Sequence, residues 1–313
     1  MLKVIFMGTS EFALPALTSL IASPHKVEAV VTQPDRPRGR GKKMQPTLVK
    51  KLALEKSLPV FQFEKIKEPA AVEQISSLAP DLIVVVAYGQ MIPESILGLP
   101  LYGCVNVHAS LLPKYRGAAP VQRALTAGEL YTGVTIMMMD AGLDTGDILM
   151  QERLMIEQDI NHGELESALA DMGGKLLLRT IESMISGSLH PVRQGPAADD
   201  YARMITREDE KINWNLPAAT IHNQIRALSP APGAYTVLDG VNVKIFKTRV
   251  SRRENHVNAS SGQFIEKTDE GLLIQTGDGC LEILEIQKAG KRKMKALEFW
   301  LGMRMETGTF GDA

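Results

Sequence analysis

The chain has 313 residues, 44% of them hydrophobic and 23% charged, and its formal net charge is −1 at pH 7. No apolar run approaches the roughly 18 residues of a membrane-spanning helix, and the polar residues soon after the N-terminus argue against a secretory signal. The 2 cysteines cannot build a disulfide framework or a multi-cysteine metal site, so a reducing cytoplasm is the expected setting.

Strand and helix signals alternate through the first half of the chain. Strands are predicted at 2–7, 27–32, 58–63 and 81–87, and helices at 47–56 and 69–78. The last of these strands, DLIVVVA, is almost entirely aliphatic, as expected for a central parallel strand covered on both faces. We therefore predict an α/β fold with a Rossmann-like, mostly parallel sheet and helices on both faces. The turn after the first strand lacks the G-x-G-x-x-G fingerprint, which argues against a bound dinucleotide.

A long loop at residues 33–46 carries the first of two basic clusters. Its prolines and glycines oppose a helix, so the sequence predicts an irregular hairpin that presents its cations to solvent. Residues 36–43, RPRGRGKK, hold 5 cations in 8 positions, and residues 288–295, KAGKRKMK, hold another 5. Two interpretations stay open: a nucleic-acid partner, for which local charge matters more than net charge, or two solvated loops.

The segment 104–120, CVNVHASLLPKYRGAAP, begins as a buried strand and then breaks into a loop rich in glycine and proline. Asn106 and His108 project from one face at the point where this strand ends. A second strand leads into the loop MDAGLDTG, which supplies Asp144. Because open α/β sheets bind ligands outside the carboxyl ends of their strands, we predict that these three residues form an active site. A lone histidine at a strand end is otherwise more often structural.

The pattern of predicted elements changes in the second half of the chain. Residues 161–164, NHGE, form a predicted capping box that begins a helix ending near residue 185. The polar segment after it predicts a catalytic domain at 1–189, a linker at 190–208 and a second domain at 209–313. Five short strand-like segments in about 55 residues of the second domain predict a small OB-like β-barrel.

Two stretches, NVHASLLPKYRGAAPVQRA and GVTIMMMDAGLDTGDIL, closely resemble the 10-formyltetrahydrofolate-dependent formyltransferases. The resemblance implies that Asn106, His108 and Asp144 are the catalytic residues and that no metal is required. It also implies that the folate lies along the SLLP segment, near the end of the strand DLIVVVA. The residues expected to contact the folate are Ser110, Leu111, Leu112, Pro113, Val86, Ala87, Tyr88 and Gly89.

The resemblance covers essentially the whole chain, and QPDRPRGRGKK resembles the basic loop of the family members that formylate methionyl-tRNA. In those members the loop enters the acceptor stem of initiator tRNA, and Arg40 matches the residue that reads it. The implied product, N-formylmethionyl-tRNA, serves translation initiation in the cytoplasm, and a monomer is expected. The residues expected to contact tRNA are Arg36, Arg38, Arg40, Lys42, Lys43, Lys288, Lys291, Arg292 and Lys293.

The implied reaction is attack of the methionine amine on the formyl carbonyl of the folate. We expect Asn106 through its amide and His108 through a ring N–H to stabilise the tetrahedral oxyanion. Asp144 is expected to orient His108 and to help move a proton from the amine to the leaving nitrogen.

The sequence leaves other classes of protein open. A glycinamide ribonucleotide formyltransferase would end near residue 200, whereas sugar-amine formyltransferases carry a comparable C-terminal domain. An inactive relative that only binds RNA is disfavoured because the three polar residues are intact. A metal-dependent hydrolase using His108 and Asp144 would lack a further histidine at useful spacing.

Overall fold

The computed structural model describes residues 1–38, 43–196, 200–238, 240–252, 259–303 and 307–311. The chain divides into two compact units. Unit 1 comprises Met1–Gly117, Tyr131–Met155 and Glu166–Ala202, and unit 2 comprises Ala118–Leu130, Ile156–Leu165 and Arg203–Ala313. Within the described ranges, no helix combines the length and the apolar character needed to cross a bilayer.

The elements follow one another in a largely alternating order. The strands are β1 (Lys3–Gly8), β2 (Lys26–Thr32), β3 (Arg36–Arg38), β4 (Lys43–Gln45), β5 (Val60–Gln62), β6 (Leu82–Val86), β7 (Cys104–His108), β8 (Tyr131–Met138), β9 (Ile148–Met155), β10 (Ala234–Leu238), β11 (Val241–Val250), β12 (Phe264–Lys267), β13 (Leu272–Gln275), β14 (Cys280–Lys288) and β15 (Met294–Lys295). The helices are α1 (Leu14–Ala22), α2 (Leu48–Glu55), α3 (Pro69–Ser77), α4 (Glu94–Leu97), α5 (Pro120–Thr126), α6 (His162–Ile185), α7 (Ala218–Ala227) and α8 (Ala296–Met303), and a short 3-10 helix spans Glu11–Ala13.

Unit 1 contains a seven-stranded sheet in the order β5-β2-β1-β6-β7-β8-β9. The first five strands in that order run parallel, and β8 and β9 join antiparallel at the far edge. The predicted Rossmann-like, mostly parallel sheet is confirmed. The chain order reverses between β1 and β6, and such a switch point opens a crevice at the carboxyl ends of the strands. β3 and β4 form a separate antiparallel hairpin.

β9 is the element of this sheet that the sequence pattern does not predict. Most of its positions alternate between half-buried and exposed, and Gln151, Glu152 and Arg153 fall within it. Its sequence, ILMQERLM, does not alternate between apolar and polar residues, because three polar residues in a row separate two apolar runs. The pairing with β8 therefore identifies β9 as a strand, whereas its sequence pattern does not.

The long helix α6 begins with the predicted capping box. The Asn161 backbone N–H donates to Glu164 Oε2 at 3.0 Å, and the Glu164 N–H donates to Asn161 Oδ1 at 3.1 Å. The helix ends at Ile185, as predicted. It passes so close to β7 that a Cβ at Gly173 would lie 2.8 Å from Val107 Cγ1. Gly173 of α6 therefore lies against the face of β7 that carries Val107, and Asn106 and His108 project from the other face.

Unit 2 is built on antiparallel strands in the order β10-β11-β14-β13-β12, with β15 paired to β14. The five predicted strands are present, and β15 adds a short sixth. Phe310 pairs with Leu238 at the end of β10, and Thr309 pairs with Gln263 beside β12. One short segment thus bridges both edges of the sheet, which supports the predicted barrel-like closure. Trp214, Phe299, Trp300 and Phe310 are buried in its core.

Two segments that precede residue 190 group with unit 2 rather than unit 1: residues 118–130 and 156–165. Helix α5, in the first segment, packs against α7. Arg123 of that helix donates to both carboxylate oxygens of Asp209 at 2.9 Å. The predicted domain division at 190–208 stays a prediction, because the segments of the two units alternate along the chain and do not meet at a single boundary.

Candidate active site

β7 carries Asn106 and His108 near its carboxyl end, on the side of the sheet where the parallel strands β1 and β6 also end. The two side chains lie two residues apart on one strand and therefore share a face. Val107 points to the opposite face, toward α6. Asn106 is half-buried and His108 is buried. β7 therefore brings an amide and an imidazole to one side of the sheet, as the sequence predicts.

Asp144 lies in the GLDTG loop (residues 142–146) between β8 and β9. Its Oδ2 accepts from the Gly117 backbone N–H at 2.9 Å and lies 3.7 Å from His108 Nδ1. Only 14% of the Asp144 side chain and 6% of the His108 side chain are exposed, so solvent screens this pair little. Asp140 closes the turn of the loop by accepting from Gly142 N and Thr145 Oγ1. The structure thus brings Asp144 to His108.

The two nitrogens of the His108 ring have different partners. Nε2 lies 3.0 Å from the Tyr115 carbonyl oxygen, and because a carbonyl can only accept, Nε2 carries the hydrogen. The Nε2–H group is therefore engaged with Tyr115 and does not point freely at a ligand. Nδ1 is the nitrogen that faces Asp144. The predicted donation from a His108 ring N–H to the oxyanion stays a prediction, and Nε2 is not the nitrogen available for it.

Asn106 has no hydrogen-bond partner for its side chain among the described residues. An amide group that is half-buried and unpaired retains two N–H donors and a carbonyl acceptor for a ligand. Asn106 is therefore better placed than His108 to donate directly to a developing negative charge.

The SLLP loop (residues 110–113) is held by side chains of β8 and β9. Thr135 Oγ1 donates to the Ser110 carbonyl at 2.6 Å and accepts from Leu112 N at 3.1 Å. Gln151 Nε2 donates to the Leu112 carbonyl at 2.9 Å and to Thr135 Oγ1 at 2.8 Å. Ser110 is fully buried and its hydroxyl donates to the Lys114 carbonyl, so it shapes the loop. Leu111 and Pro113 are half-buried, and Leu112 is buried.

Thr135 and Gln151 are site-supporting residues that the sequence does not single out. Thr135 is the residue opposite His108 in the β7–β8 pairing, and Gln151 is opposite Thr135 in the β8–β9 pairing. Both positions follow from antiparallel register. Because the sequence pattern does not predict β9, no sequence signal connects Thr135 and Gln151 to the SLLP loop.

The segment after β6 places its main chain at the crevice and one side chain in the core. Ala87 and Gly89 are exposed and have φ of 44° and 91°. Val86 is fully buried. The Tyr88 side chain is 2% exposed and packs in the core of unit 1, where burial raises its pKa to about 12. Any contact between Tyr88 and a ligand would therefore involve its backbone.

The first basic cluster has only part of its residues in the described chain. Arg36 and Lys43 are exposed, and Arg36 Nη2 pairs with Glu64 Oε2 at 2.6 Å. Arg38 lies in β3, and nothing is described of its side chain. Arg40 and Lys42 lie outside the described residues.

The second basic cluster follows β14. Lys291, Arg292 and Lys293 are exposed, and Lys288 is half-buried with its Nζ 3.6 Å from Met303 Sδ. Lys293 Nζ lies 3.8 Å from the centre of the Phe246 ring, within the range of a cation–π contact. In the parts of the chain that the structure describes, no group of three or more His, Cys, Asp or Glu could hold a metal ion.

Two known protein families together match most of the chain. Residues 2–181 match the family described as formyl transferase, and residues 204–304 match the family described as formyl transferase, C-terminal domain. The chain is 51% identical over 308 residues to methionyl-tRNA formyltransferase of Syntrophomonas wolfei subsp. wolfei, covering 98% of each sequence. It is 44% identical over 313 residues to methionyl-tRNA formyltransferase of Geobacter sulfurreducens, covering 100% of this chain and 98% of the relative.

Solved structures share the fold at lower identity. WlaRD, a sugar 3N-formyl transferase determined with dTDP and 5-N-formyl-THF, superposes with a TM-score of 0.67 at 22% identity, covering 93% of this chain and 99% of that one. HypX from Aquifex aeolicus in complex with tetrahydrofolic acid superposes with a TM-score of 0.64 at 16% identity, covering 96% of this chain and 47% of that one. At these identities the similarity establishes the fold.

Proposed function

Because the chain belongs to the formyl transferase family, we propose that it transfers the formyl group of 10-formyltetrahydrofolate to the α-amino group of methionine on initiator tRNA. The observation that carries the proposal is the 51% identity to a methionyl-tRNA formyltransferase over 98% of both sequences. That similarity extends through both units of the chain. The His108–Asp144 pair and the unpaired Asn106 amide supply matching chemistry.

In the reaction the methionine amine attacks the formyl carbon, a C–N bond forms, and the carbonyl oxygen becomes an oxyanion. The Asn106 amide donates to that oxygen. Loss of one such donor typically costs about 3–4 kcal/mol, or about 100- to 1000-fold in rate. The bond from the formyl carbon to N10 of the folate then breaks, and one proton passes from the attacking amine to N10.

His108 and Asp144 handle that proton. Nδ1 faces a carboxylate at 3.7 Å, which is longer than a direct hydrogen bond and leaves a gap for the migrating proton or a water. A proton on Nδ1 would place a charged ring beside the carboxylate, which stabilises it. The Tyr115 carbonyl holds the other nitrogen and so prevents the ring from turning away.

The folate would lie between the SLLP loop and the strand end at 86–89. The half-buried Leu111 offers an apolar wall to a flat ring, and the exposed main chain at Ala87 and Gly89 offers polar groups to its edge. Ser110 and Leu112 act through the loop geometry, because both are buried. Tyr88 contributes its backbone.

The tRNA would be bound through the two basic clusters. Lys43, Lys291 and Arg292 are exposed cations suited to phosphate contacts, and Arg40 is proposed to read the first base position of the acceptor stem. If several of these residues meet phosphates, affinity for tRNA should fall steeply with salt. We further expect the protein to be a monomer and to act in the cytoplasm. Sedimentation of the pure protein would test the oligomeric state.

The decisive experiment offers the protein 10-formyltetrahydrofolate carrying a labelled formyl group with three acceptors. These are charged initiator tRNA, charged elongator methionyl-tRNA and a dTDP-linked amino sugar. The expected result is label on initiator methionyl-tRNA and none on the sugar. Label on the sugar alone would favour the activity named for the structural neighbour WlaRD.

Replacing Arg40 should reduce the preference for initiator over elongator tRNA. An equal loss of activity on both tRNAs would mean that Arg40 is only a phosphate contact.

A further inference from the structure

The GLDTG loop is held from outside by one glutamine. Gln194 Nε2 donates to the Asp144 carbonyl at 2.9 Å and to the Gly146 carbonyl at 2.6 Å. Its Oε1 accepts two hydrogen bonds from Arg116, from Nε at 3.0 Å and from Nη2 at 2.7 Å. Both hydrogens of the amide are thus committed to the loop, and its oxygen is committed to a guanidinium. These contacts allow the Gln194 amide only one orientation, because a flipped amide would place its oxygen against the two carbonyl oxygens of the loop.

The backbone around Gln194 is also fixed to unit 1. Val192 and Ile148 exchange two backbone hydrogen bonds of 2.8 Å, so the chain two residues before Gln194 is fixed to the first residue of β9. Arg116 Nη2 reaches on to the Gly195 carbonyl at 3.1 Å, and the Arg116 carbonyl accepts from Ala202 N at 2.7 Å. The segment 192–195 falls in the predicted linker. It nevertheless contacts the loop that carries Asp144, so it does more than connect two domains.

The backbone of Asp144 has an uncommon conformation. Its φ of 53° lies in the left-handed region, which few non-glycine residues adopt without help from their surroundings. The Asp144 carboxylate is held by Gly117 N, the residue directly after Arg116. Arg116 and Gln194 therefore fix both sides of the contact with His108: the carbonyls of the GLDTG loop and the backbone N–H that binds the carboxylate.

We propose that Gln194, oriented by Arg116, is a positioning residue that holds the GLDTG loop so that the Asp144 carboxylate faces His108 during formyl transfer. The proposal rests on the proposed function for its kinetic readout. It concerns a residue that acts through Asp144, and it assigns Gln194 no contact with either substrate.

Two substitutions test the hydrogen bonds. Gln194→Ala removes both donors, and Gln194→Glu keeps the size of the side chain while it sets a carboxylate against two carbonyl oxygens. A displacement of a catalytic group by an ångström can cost about 100-fold in rate, so we expect kcat to fall about 10- to 100-fold in both variants. The KM for methionyl-tRNA should stay within about twofold, because the residues proposed to bind tRNA lie in the two basic clusters and not in this loop. A role in packing alone predicts that Gln194→Glu retains the wild-type kcat, which would overturn the proposal.

A matched control is available in unit 2. Gln224 Nε2 also bridges two carbonyls, of Asp209 and Lys211, each at 2.8 Å. Gln224→Ala therefore loses the same kind of hydrogen bonds without a link to Asp144. It should lower thermal stability about as much as Gln194→Ala and leave kcat unchanged. An equal loss of kcat in both variants would mean that the effect is general destabilisation, and the proposal would fail.

A double-mutant cycle tests whether Gln194 acts through Asp144. In the Asp144→Asn background, adding Gln194→Ala should change kcat less than twofold, since its target is already lost. A second full loss in the double mutant would contradict the proposal.

An activity-independent readout separates this proposal from the proposed function. The ring ¹⁵N chemical shifts of His108 should move in Gln194→Ala in the same direction as in Asp144→Asn, and should not move in Gln224→Ala. Unchanged shifts in Gln194→Ala would overturn the positioning role whatever the acceptor proves to be. If the wild-type protein does not formylate methionyl-tRNA, the proposed function fails while these shifts still decide the role of Gln194.

Discussion

Two substitutions of Asp144 separate the charge of its carboxylate from its hydrogen bond. In Asp144→Asn the side-chain oxygen can still accept from Gly117 N, so the loop keeps its anchor, but the negative charge beside His108 is gone. In Asp144→Ala both are lost. The wild-type contact of 2.9 Å to Gly117 N and the separation of 3.7 Å from His108 Nδ1 define what each variant removes.

The size of the effect follows from that separation. Two unit charges 3.7 Å apart attract by about 4 kcal/mol at an effective dielectric constant of about 20, a value suited to protein sites. If His108 is protonated in the transition state, removing the carboxylate takes away this stabilisation. Since about 1.4 kcal/mol corresponds to tenfold in rate, the expected loss is about a thousandfold. Asp144→Asn should lose nearly as much as Asp144→Ala, because the charge dominates.

The measurement is a single-turnover assay with labelled formyl donor and charged initiator tRNA, in which product release does not limit the rate. Thermal unfolding of both variants checks that they remain folded. The loss of one charged hydrogen bond should cost Asp144→Ala about 1.5–3 kcal/mol of stability and Asp144→Asn less. A rate for Asp144→Asn above about a tenth of the wild-type rate would refute the electrostatic role, and Asp144 would then only shape its loop.

Thr135→Val removes a hydroxyl that holds the SLLP loop by hydrogen bonds of 2.6 and 3.1 Å, so folate should bind more weakly; calorimetry with a folate analogue checks this, and unchanged affinity would contradict it. An unsatisfied backbone N–H in that loop should also lower stability by about 1–3 kcal/mol. Hydrogen bonds from Arg123 hold the pKa of Asp209 well below its ordinary value of 3.8, so the carboxylate contributes stability above that pH and the contribution is lost as the pH falls below it. The difference in melting temperature between wild type and Asp209→Asn should therefore become smaller as the pH falls below 3.8. A difference that stays constant with pH would show that the Asp209 carboxylate does not provide this pH-dependent stability. Gly146→Ala would place a Cβ 1.8 Å from the Met138 carbonyl, which forces the GLDTG loop to shift. Overpacking of this kind typically costs about 1–3 kcal/mol, and kcat should fall as well, so wild-type turnover in Gly146→Ala would show that the loop tolerates the shift.

Strong local patterns were enough to predict the principal elements. The aliphatic run that became β6 and the capping box at the start of α6 lie close to their predicted positions. The antiparallel strands of unit 2 follow the predicted segments, because each is apolar and bounded by turn residues. The alternation of Asn106 and His108 along β7 predicted their shared face, since the side-chain period of a strand is two.

Contacts between distant residues could not be predicted in the same way. β9 lacks an alternation of apolar and polar residues, so the local sequence predicts neither its pairing with β8 nor the support that Thr135 and Gln151 provide to the SLLP loop. The core position of the Tyr88 side chain and the engagement of His108 Nε2 with Tyr115 likewise depend on how the chain returns to the sheet. Neither has a signature in the neighbouring sequence.

The sequence by itself determined the two-part architecture, the placement of Asn106 and His108 on one face of a strand and the family to which the chain belongs, because these depend on local periodicity and on motifs within short stretches. Only the tertiary structure decided which backbone groups hold those side chains. Gln194 lies 50 residues from Asp144 in the chain, and Gly117 lies 27 residues from it. Hydrogen bonds over such separations arise from packing and register, which no short stretch of sequence specifies.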